Sequence, residues 1–330
     1  MNSFGRVFKV SLFGASHGPC VGALIDGCPP GISLAPTDFE KDLSRRKSAA
    51  PGTTPRREPD APIFLSGLFE GRSTGAPIAV MFENRDVSSK DYDRFKQVPR
   101  PGHADFAAMK KYRGFNDHRG GGMFSGRMTV ALTAAGVVAK KTLPGIGFSA
   151  ALIRAGGRSD IGAAVGEAMA EGDSVGGLIE CRISNVPVGL GEPFFDSAES
   201  VISHMVFAIP AVKGIEFGAG FAAAAMKGSR HNDPLADPGG RTLANHAGGI
   251  SGGISNGNDM VFRVAVKPTP SIARPQKTLD LSSGKMTRLE IKGRHDACAA
   301  LRAPVVVEAA AAIALADLSL LFYSVSESRE

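Results

Sequence analysis

The stretch that decides the fold runs from Arg119 to Lys141 and reads RGGGMFSGRMTVALTAAGVVAKK. From Met128 to Lys141 it consists mainly of small apolar side chains, mostly Ala and Val, with little polar face. A helix that is apolar on all sides is buried on all sides. The sequence therefore predicts a buried helix at 128–141, entered from a glycine-rich segment.

The glycine-rich segment before this helix resembles a phosphate-binding loop but departs from it at two positions. Its Gly121-x4-Gly126 spacing is followed by Arg127 where such a loop has lysine, and by Met128 where it has serine or threonine. Without the phosphate-binding lysine and the hydroxyl that holds Mg²⁺, the sequence excludes a nucleoside triphosphatase. Backbone N–H groups and the dipole at the start of the helix still favour an anion site.

Three further short segments combine histidine with glycine, and two of them also contain an arginine and an aspartate. They are Gly14-Ala15-Ser16-His17-Gly18-Pro19, Arg100-Pro101-Gly102-His103-Ala104-Asp105 and Gly293-Arg294-His295-Asp296. Taken singly, each also fits a turn histidine, a capped turn or an ordinary ion pair. Histidine titrates near neutral pH and arginine grips phosphate or carboxylate in a fork. Together the four segments therefore favour acid–base chemistry on a polyanion.

Composition narrows the class of protein. The chain has 330 residues, 43% of them hydrophobic, and a net charge of +6, which fits a soluble globular protein with an anionic partner. The four cysteines show no CxxC pair or metal-finger spacing, so we expect reduced thiols, a cytoplasmic location and no metal. The apolar stretch from Ala303 to Tyr323 contains Glu308 and Asp317, which favours a buried helix over a membrane span.

Local patterns predict strands and helices in mixed order. Strands are predicted at 5–13, 21–26, 63–67, 76–83, 175–183, 215–221 and 260–266, and further helices at 37–46, 160–171, 200–208 and from about 303. No linker, composition shift or internal repeat divides the chain, so we expect one α+β domain over residues 1–330. Residues 47–57, rich in Pro, Thr and Arg, are predicted to form a mobile basic loop.

Two basic clusters border this loop, Arg45-Arg46-Lys47 and Arg56-Arg57. A solvated charged face and a nucleic-acid-binding patch both fit such clusters. No aromatic side chains are interleaved with them, and no nucleic-acid-binding module is recognisable. We therefore expect a small-molecule substrate, with neither nucleic acid nor membrane as a partner.

The four segments occur in the same order as in chorismate synthase, and the chain resembles that family from about residue 4 to 322. Further matching stretches are DGCPPG from Asp26, RREPD from Arg56, LSG from Leu65, NHAGGISGGIS from Asn245 and KPT from Lys267. The resemblance implies a single-domain β-α-β sandwich with helices packed between antiparallel sheets. It also implies a phosphate lyase that converts 5-enolpyruvylshikimate 3-phosphate into chorismate by 1,4-elimination, in the shikimate pathway of aromatic amino acid biosynthesis. Reduced FMN would be required but not consumed, with NADPH as a candidate reductant, and the protein would be a cytoplasmic homotetramer.

Carried over position by position, the resemblance implies a set of site residues. His17 and His103 match the family's active-site histidines, and Asp296 matches the acid that works with the flavin. Arg45, Arg46, Arg100, Arg127 and Arg294 match substrate-facing arginines, and Arg46 is also a candidate NADPH contact. Flavin contacts map onto Met123, Phe124, Ser125, Pro210, Ala211, Gly252, Lys267, Pro268, Thr269, Pro270, Ser271 and Arg294. The resulting hypothesis is that His103 serves the departing phosphate, His17 keeps the flavin in its productive charge state, and Asp296 relays the proton.

The chain departs from the family pattern at a few positions near this site. Ala15 stands where the family usually has glutamate, and Met123-Phe124 and Met128 fall in a stretch that commonly reads Arg-Ser-Ser-Ala-Arg-Glu-Thr. Pro210-Ala211 replaces a common Asn-Ala pair. We therefore expect Met123, Phe124 and Pro210 to serve through their backbones.

Two other readings of the sequence stay open at this point. A flavin oxidoreductase that shares the fold would show net redox turnover, whereas the synthase consumes no stoichiometric reductant once its flavin is reduced. A basic RNA-binding protein would spread phosphate contacts over a surface, and its affinity would fall steeply with salt. The clustering of basic residues at a few glycine-bounded segments favours a pocket for a small molecule.

Overall fold

A computed structural model describes residues 2–47, 50–90, 92–291 and 295–326 of the chain. Within these ranges the α-helices are α1 (Pro36–Arg46), α2 (Asp105–Lys111), α3 (Thr129–Lys141), α4 (Ile161–Ala170), α5 (Ala198–Phe207), α6 (Gly228–His231) and α7 (Pro304–Ser326). The strands are β1 (Ser3–Phe4), β2 (Lys9–Gly14), β3 (Cys20–Asp26), β4 (Ile63–Ser66), β5 (Leu68–Phe69), β6 (Arg72–Ser73), β7 (Ile78–Glu83), β8 (Gly147–Ala155), β9 (Gly177–Ser184), β10 (Val212–Phe217), β11 (Ile250–Ser251), β12 (Ile254–Ser255), β13 (Met260–Val266), β14 (Gln276–Asp280) and β15 (Lys285–Leu289).

Two apolar helices, α3 and α7, pack against each other in the middle of the core. In α3 the residues from Thr129 to Ala139 are all buried. The helices approach closely at Gly136, where an added Cβ would lie 2.5 Å from the Cα of Ala309. Glycine therefore sets the distance between the two helix axes. The predicted buried helices at 128–141 and from about 303 are confirmed.

Antiparallel sheets lie on both sides of these helices. One sheet has the strand order β1-β2-β3-β7-β4, and the other has the order β10-β13-β9-β8. Helix α3 contacts β3 and β7 of the first sheet, whereas α7 contacts β8 and β9 of the second. In β7 the alternating residues Ile78, Val80 and Phe82 are buried in the core that includes α3. The predicted α+β fold, with helices between antiparallel sheets, is confirmed.

Helix α7 is long and apolar enough to cross a membrane, yet 83% of its most apolar window is buried within the fold. One of its carboxylates fastens the N-terminal segment to the core. Asp317 accepts the backbone N–H groups of Arg6, Val7 and Phe8 at distances between 2.7 and 3.0 Å. Hydrogen bonds satisfy this buried carboxylate, which is the condition for burying a charge in a protein core.

The structure contains elements that the sequence patterns do not predict; the longest are β8, α2 and the β14–β15 hairpin, and the short β1, β5, β6, α6, β11 and β12 are also among them. In β8 several positions are Gly or Ala, and Ala155 is the one buried residue of the strand. Its apolar alternation is therefore weak. The strand is defined by its pairing with β9, from Gly147 opposite Ser184 to Ala155 opposite Gly177. Tertiary pairing rather than local propensity decides such a strand.

Candidate active site

A single basin of about 1000 Å³ collects most of the predicted site residues. This volume lies at the upper end of the range of about 300–1,000 Å³ for small-molecule pockets, so the basin has room for more than one ligand. Its walls come from segments that are far apart in sequence, around residues 16–17, 54–60, 100–108, 116–129, 207–213, 267–271 and 295–306.

His17 follows β2 and faces the glycine-rich segment that precedes α3. Its Nδ1 is 2.9 Å from the Ser89 hydroxyl, and the Tyr92 ring packs edge-on with its centroid at 5.2 Å. Gly120, with φ of +59°, lies against the imidazole, and a Cβ there would be 2.3 Å from His17 Cδ2. Two of the four sequence segments therefore meet at one point, and the meeting depends on glycine at position 120.

His103 lies in the turn before α2 and is enclosed by other cationic groups. Its Nε2 is 2.7 Å from the Ser271 hydroxyl. Burial, and next the positive charge of Arg100, lower the pKa of His103 to about 3. The imidazole is therefore neutral at physiological pH in the absence of ligands. An anion placed next to it would favour the protonated form.

Arg100 is a buried positive charge beside His103, and an acid of the same segment holds it. Its Nε and Nη2 each donate to a carboxylate oxygen of Asp105 at 2.8 Å. The guanidinium also lies over the Phe95 ring, 4.7 Å from the centroid. Burial acts to raise the pKa of Asp105, but the bonds from Arg100 outweigh it and the pKa is lowered. The predicted substrate-facing Arg100 is thus pre-organised by an ion pair.

Arg46 and Arg127 share one carboxylate on the wall of the basin, and all three residues are buried. Arg46 Nη2 donates to Asp60 Oδ2 at 2.6 Å, and Arg127 Nη1 donates to Asp60 Oδ1. Arg127 Nε also donates to the Asn84 amide oxygen at 2.9 Å. Within the described ranges, Arg46 Nε has no hydrogen-bond partner. Two cations against one anion leave an excess positive charge beside the cavity, which suits an anionic ligand.

Asp296 is held at both carboxylate oxygens. The Thr54 backbone N–H donates to Oδ1 at 2.8 Å, and Arg302 Nη2 donates to Oδ2 at 2.6 Å. Next to it, the Ala297 N–H donates to the Gly52 carbonyl at 2.7 Å. The basic loop predicted to be mobile is therefore hydrogen-bonded to the turn that carries the acid. Residues 48 and 49 of that loop lie outside the described residues, and its mobility stays a prediction.

Sequence reasoning missed Arg302. It stands between Leu301 and Ala303, in an apolar stretch without glycine or histidine, so no local pattern marks it. Its position in the site is apparent only from its contact with Asp296.

The remaining predicted residues fall into three groups. Lining the basin are Met123, Phe124, Ser125, Pro210, Ala211, Lys267, Thr269, Pro270 and Ser271. Away from its lining are Arg45, which pairs with Glu308, Pro268, and Gly252, which sits in the turn of the β11–β12 hairpin. Arg294 lies outside the described residues. Within the described chain, substrate contact by Arg45 therefore has no geometric support.

Similarity to known proteins extends over nearly the whole chain. The family model described as chorismate synthase matches residues 8–320. A chorismate synthase of Chitinophaga pinensis is 58% identical over 322 residues, covering 97% of each chain. One of Dehalococcoides mccartyi is 45% identical over 351 residues, covering 97% of this chain and 96% of its own. A crystal structure of chorismate synthase aligns with a TM-score of 0.75 and 25% identity, covering 99% of this chain and 97% of the other.

Proposed function

Because the chain belongs to the chorismate synthase family, we propose that its basin performs the family's 1,4-elimination with the residues described above. The family converts 5-enolpyruvylshikimate 3-phosphate into chorismate and phosphate in the shikimate pathway. The protein is accordingly a phosphate-eliminating lyase of aromatic biosynthesis, in a family that depends on reduced flavin. The observation that carries the site assignment is that His17, His103 and Asp296 line the same basin as Arg46 and Arg127.

The basin's positive charge suits this substrate. A phosphate group carries about −1.5 to −2 at neutral pH, and the substrate adds two carboxylates. Arg46 and Arg127 leave an excess positive charge over Asp60 at the basin wall. Each charge-assisted hydrogen bond to the substrate contributes about 1.5–3 kcal/mol. We assign Arg46 and Arg127 to the substrate anions, with Arg46 serving the substrate rather than NADPH.

The segments expected at the flavin fit an anionic aromatic cofactor. The Thr269 hydroxyl is buried and has no hydrogen-bond partner within the described chain. Lys267 and Lys213 both line the basin, and burial followed by the charge of Lys213 lowers the pKa of Lys267. Two neighbouring cations favour a bound phosphate. We propose that Thr269, Lys267 and Lys213 hold the flavin, and that the flavin is FMN. When bound in reduced form, it supplies electron density to the reacting ring and recovers it.

The contacts of the two histidines are compatible with the roles expected from the sequence. His103 lies beside Arg100, the arginine expected to face the substrate; burial, and next the charge of Arg100, lower the pKa of His103, and an anion next to it would favour its protonated form. His17 lies against Gly120, in the glycine-rich segment that also carries the flavin positions Met123 to Ser125. We therefore assign His17 to the flavin side and His103 to the phosphate, which leaves with the electron pair of its C–O bond and takes a hydrogen bond from the imidazole.

We assign Asp296 as the base that accepts the proton leaving the ring. Its carboxylate is held by Thr54 and Arg302, so an oxygen lone pair remains to accept a proton. As that proton leaves, the electron pair of its C–H bond forms a new ring double bond, and the existing ring double bond shifts to the carbon from which the phosphate departs with its C–O pair. General base catalysis needs this combination of a fixed position and a free acceptor site.

The finer features of the protein rest on the resemblance. We propose a cytoplasmic homotetramer, with NADPH as a candidate reductant of the bound flavin. Equilibrium sedimentation of the purified chain tests the tetramer, and anaerobic flavin reduction with NADPH as sole electron donor tests the reductant.

The decisive experiment is an anaerobic assay with chemically reduced FMN and 5-enolpyruvylshikimate 3-phosphate, which follows chorismate and phosphate together. We expect equal release of both products and many turnovers per flavin. Net oxidation of the flavin with each turnover would instead support an oxidoreductase. An Asp296→Asn variant that binds both ligands but retains full turnover would overturn the role assigned to Asp296. A matched control is Arg263→Met, because Arg263 pairs with Glu180 and Glu216 away from the basin.

A further inference from the structure

We propose that Arg302 is a positioning residue for the reaction: it fixes the orientation of the Asp296 carboxylate and acts through it. The inference rests on the proposed role of Asp296 as proton acceptor. Arg302 belongs to none of the glycine-bounded segments of the site, and its position depends on a different part of the fold.

The backbone that carries Arg302 is rigidly placed. Residues Ala299–Leu301 form a short 3₁₀ helix, and α7 begins at Pro304. The Arg302 N–H donates to the Ala299 carbonyl at 3.3 Å, and Ala300 in the same turn is buried in the core. Only a few residues separate this anchored turn from the long buried helix. The guanidinium therefore extends from a turn that is packed on the core, rather than from the basic loop.

The two donors to Asp296 come from independent parts of the chain. Oδ1 takes the Thr54 N–H from the basic loop, and Oδ2 takes Arg302 Nη2 from the turn before α7. With both oxygens held, the plane of the carboxylate is fixed. If Arg302 is removed, the Thr54 backbone N–H is the one donor to the carboxylate that remains among the described residues, and the carboxylate can rotate. Misplacement of a reacting group by about 1 Å can cost about 100-fold in rate.

Arg302 also faces the basin, so direct contact with the substrate is the alternative to be tested. Its Nε is buried and has no hydrogen-bond partner in the described chain. Its positive charge also acts on Arg46: burial is the largest cause that lowers the pKa of Arg46, Asp60 opposes the shift, and the charge of Arg302 adds to it. A direct anion contact would affect substrate affinity independently of Asp296. A positioning role would affect the rate, and only while Asp296 is present.

The test is a double-mutant cycle measured anaerobically with reduced FMN and 5-enolpyruvylshikimate 3-phosphate. The variants are Arg302→Met, Arg302→Lys, Asp296→Asn and the combination of Arg302→Met with Asp296→Asn. Arg263→Met serves as the control, because it removes an arginine that also pairs with carboxylates but does not line the basin. Circular dichroism and urea unfolding check that each variant is folded. If Arg302→Met does not fold, Arg302→Lys is used in its place.

We expect Arg302→Met to lower kcat by about 10- to 100-fold while KM changes by less than about 3-fold, following the cost of misplacing a reacting group. Arg302→Lys should recover part of the rate. The double variant should be no slower than Asp296→Asn alone, because Arg302 acts through that carboxylate.

Three results would overturn the inference. One is a kcat for Arg302→Met within about 2-fold of the unmodified protein, well short of the cost of misplacement. Another is a rise in KM alone. The third is an additive loss in the double variant, which would assign Arg302 to the substrate instead. Full activity of Asp296→Asn would overturn the proposed role of Asp296, and with it the inference about Arg302. The function itself is tested separately, by chorismate formation with the unmodified protein.

Discussion

Arg45 and Arg46 are neighbours in α1, yet their side chains belong to two different charged clusters. Consecutive residues of a helix point about 100° apart. Arg45 turns toward α7 and α3, where it forms an interhelical cluster with Asp42, Lys140 and Glu308. Arg46 turns the other way, into a basin cluster of Arg46, Asp60 and Arg127.

The two clusters differ in their charge balance. The interhelical cluster pairs two cations with two carboxylates, and Glu308 Oε1 also accepts the Ala150 N–H at 2.8 Å. The basin cluster has two cations for one carboxylate and leaves the Arg46 Nε without a partner in the described chain. A charge-balanced cluster whose cations reach solvent needs no ligand, whereas an excess buried charge beside a cavity favours a ligand of opposite sign. We therefore expect the interhelical cluster to act on stability and the basin cluster on stability and catalysis.

The largest expected effect is the loss of one carboxylate from each cluster. Breaking a buried ion pair by removing one partner costs about 3–5 kcal/mol. Asp60→Asn should lower the free energy of unfolding by about this amount in urea titrations, because both of its arginine partners are buried. Glu308→Gln should cost less, about 1.5–3 kcal/mol, because its partners Arg45 and Lys140 remain accessible to solvent. In the anaerobic chorismate assay, only Asp60→Asn should also lower kcat/KM per folded molecule, because Arg46 and Arg127 lose the anion that orients them. Equal losses of kcat/KM in both variants would contradict the proposal that only the basin cluster acts on catalysis.

The second prediction exchanges the adjacent arginines. Arg46→Met should lower kcat/KM for 5-enolpyruvylshikimate 3-phosphate by about 10- to 150-fold, which corresponds to one charge-assisted bond of about 1.5–3 kcal/mol. Arg45→Met should change kcat/KM by less than about 3-fold, a change smaller than the loss of one such bond, while still lowering the urea midpoint. A large catalytic loss in Arg45→Met would restore the role expected for Arg45 from the sequence.

The third prediction concerns acid stability at the interhelical cluster. Burial acts to raise the pKa of Glu308, but Arg45 and Lys140 outweigh it, so the pKa lies below its ordinary value of 4.5. A carboxyl whose pKa is lowered by folding stabilises the protein above its unfolded pKa, and the contribution is lost as pH falls toward the folded pKa. The stability difference between the unmodified protein and Glu308→Gln should therefore shrink as pH drops below 4.5. A constant difference from neutral pH to pH 3 would argue against this, since the contribution would then not titrate.

The last prediction concerns the pH dependence of stability that His103 contributes in the basin. Its pKa is about 3 in the folded protein against an ordinary value of 6.5. The unfolded chain therefore binds a proton that the folded protein excludes, and stability falls as pH drops from 6.5 toward 3. His103→Asn should flatten urea-unfolding stability over that window by removing one titrating group. An unchanged slope would indicate that His103 is solvated in the folded protein.

Most of the fold could be predicted from the sequence because its elements carry local signals. The apolar run of α3, the alternation in β7 and β13, and the helix predicted at 37–46, which starts one residue earlier at Pro36, each reflect the period or the terminus of one element. Helix α2 and strand β8 lack such signals, since α2 has seven residues and β8 is mostly small and half-exposed. Both are fixed by their neighbours in space.

The candidate site was predictable in its chemistry but not in its contacts. His17, His103 and Asp296 stand out because glycine and arginine surround them in the chain. Their partners do not stand out: Ser271 lies 168 residues from His103 and Thr54 lies 242 residues from Asp296. The resemblance already placed Ser271 at the flavin, but its pairing with His103, like that of the Thr54 N–H with Asp296, becomes visible only in the folded chain.

The sequence by itself determined which residue types meet an anionic substrate and where the apolar helices run, because both are written in short stretches of chain. The tertiary structure alone decided that Arg46 faces the basin while Arg45 faces α7, and that Arg302 reaches Asp296. The physical reason is that a charged side chain takes its role from the counter-ions around it. Those counter-ions are brought together by the packing of helices between two sheets, over separations that no local pattern spans.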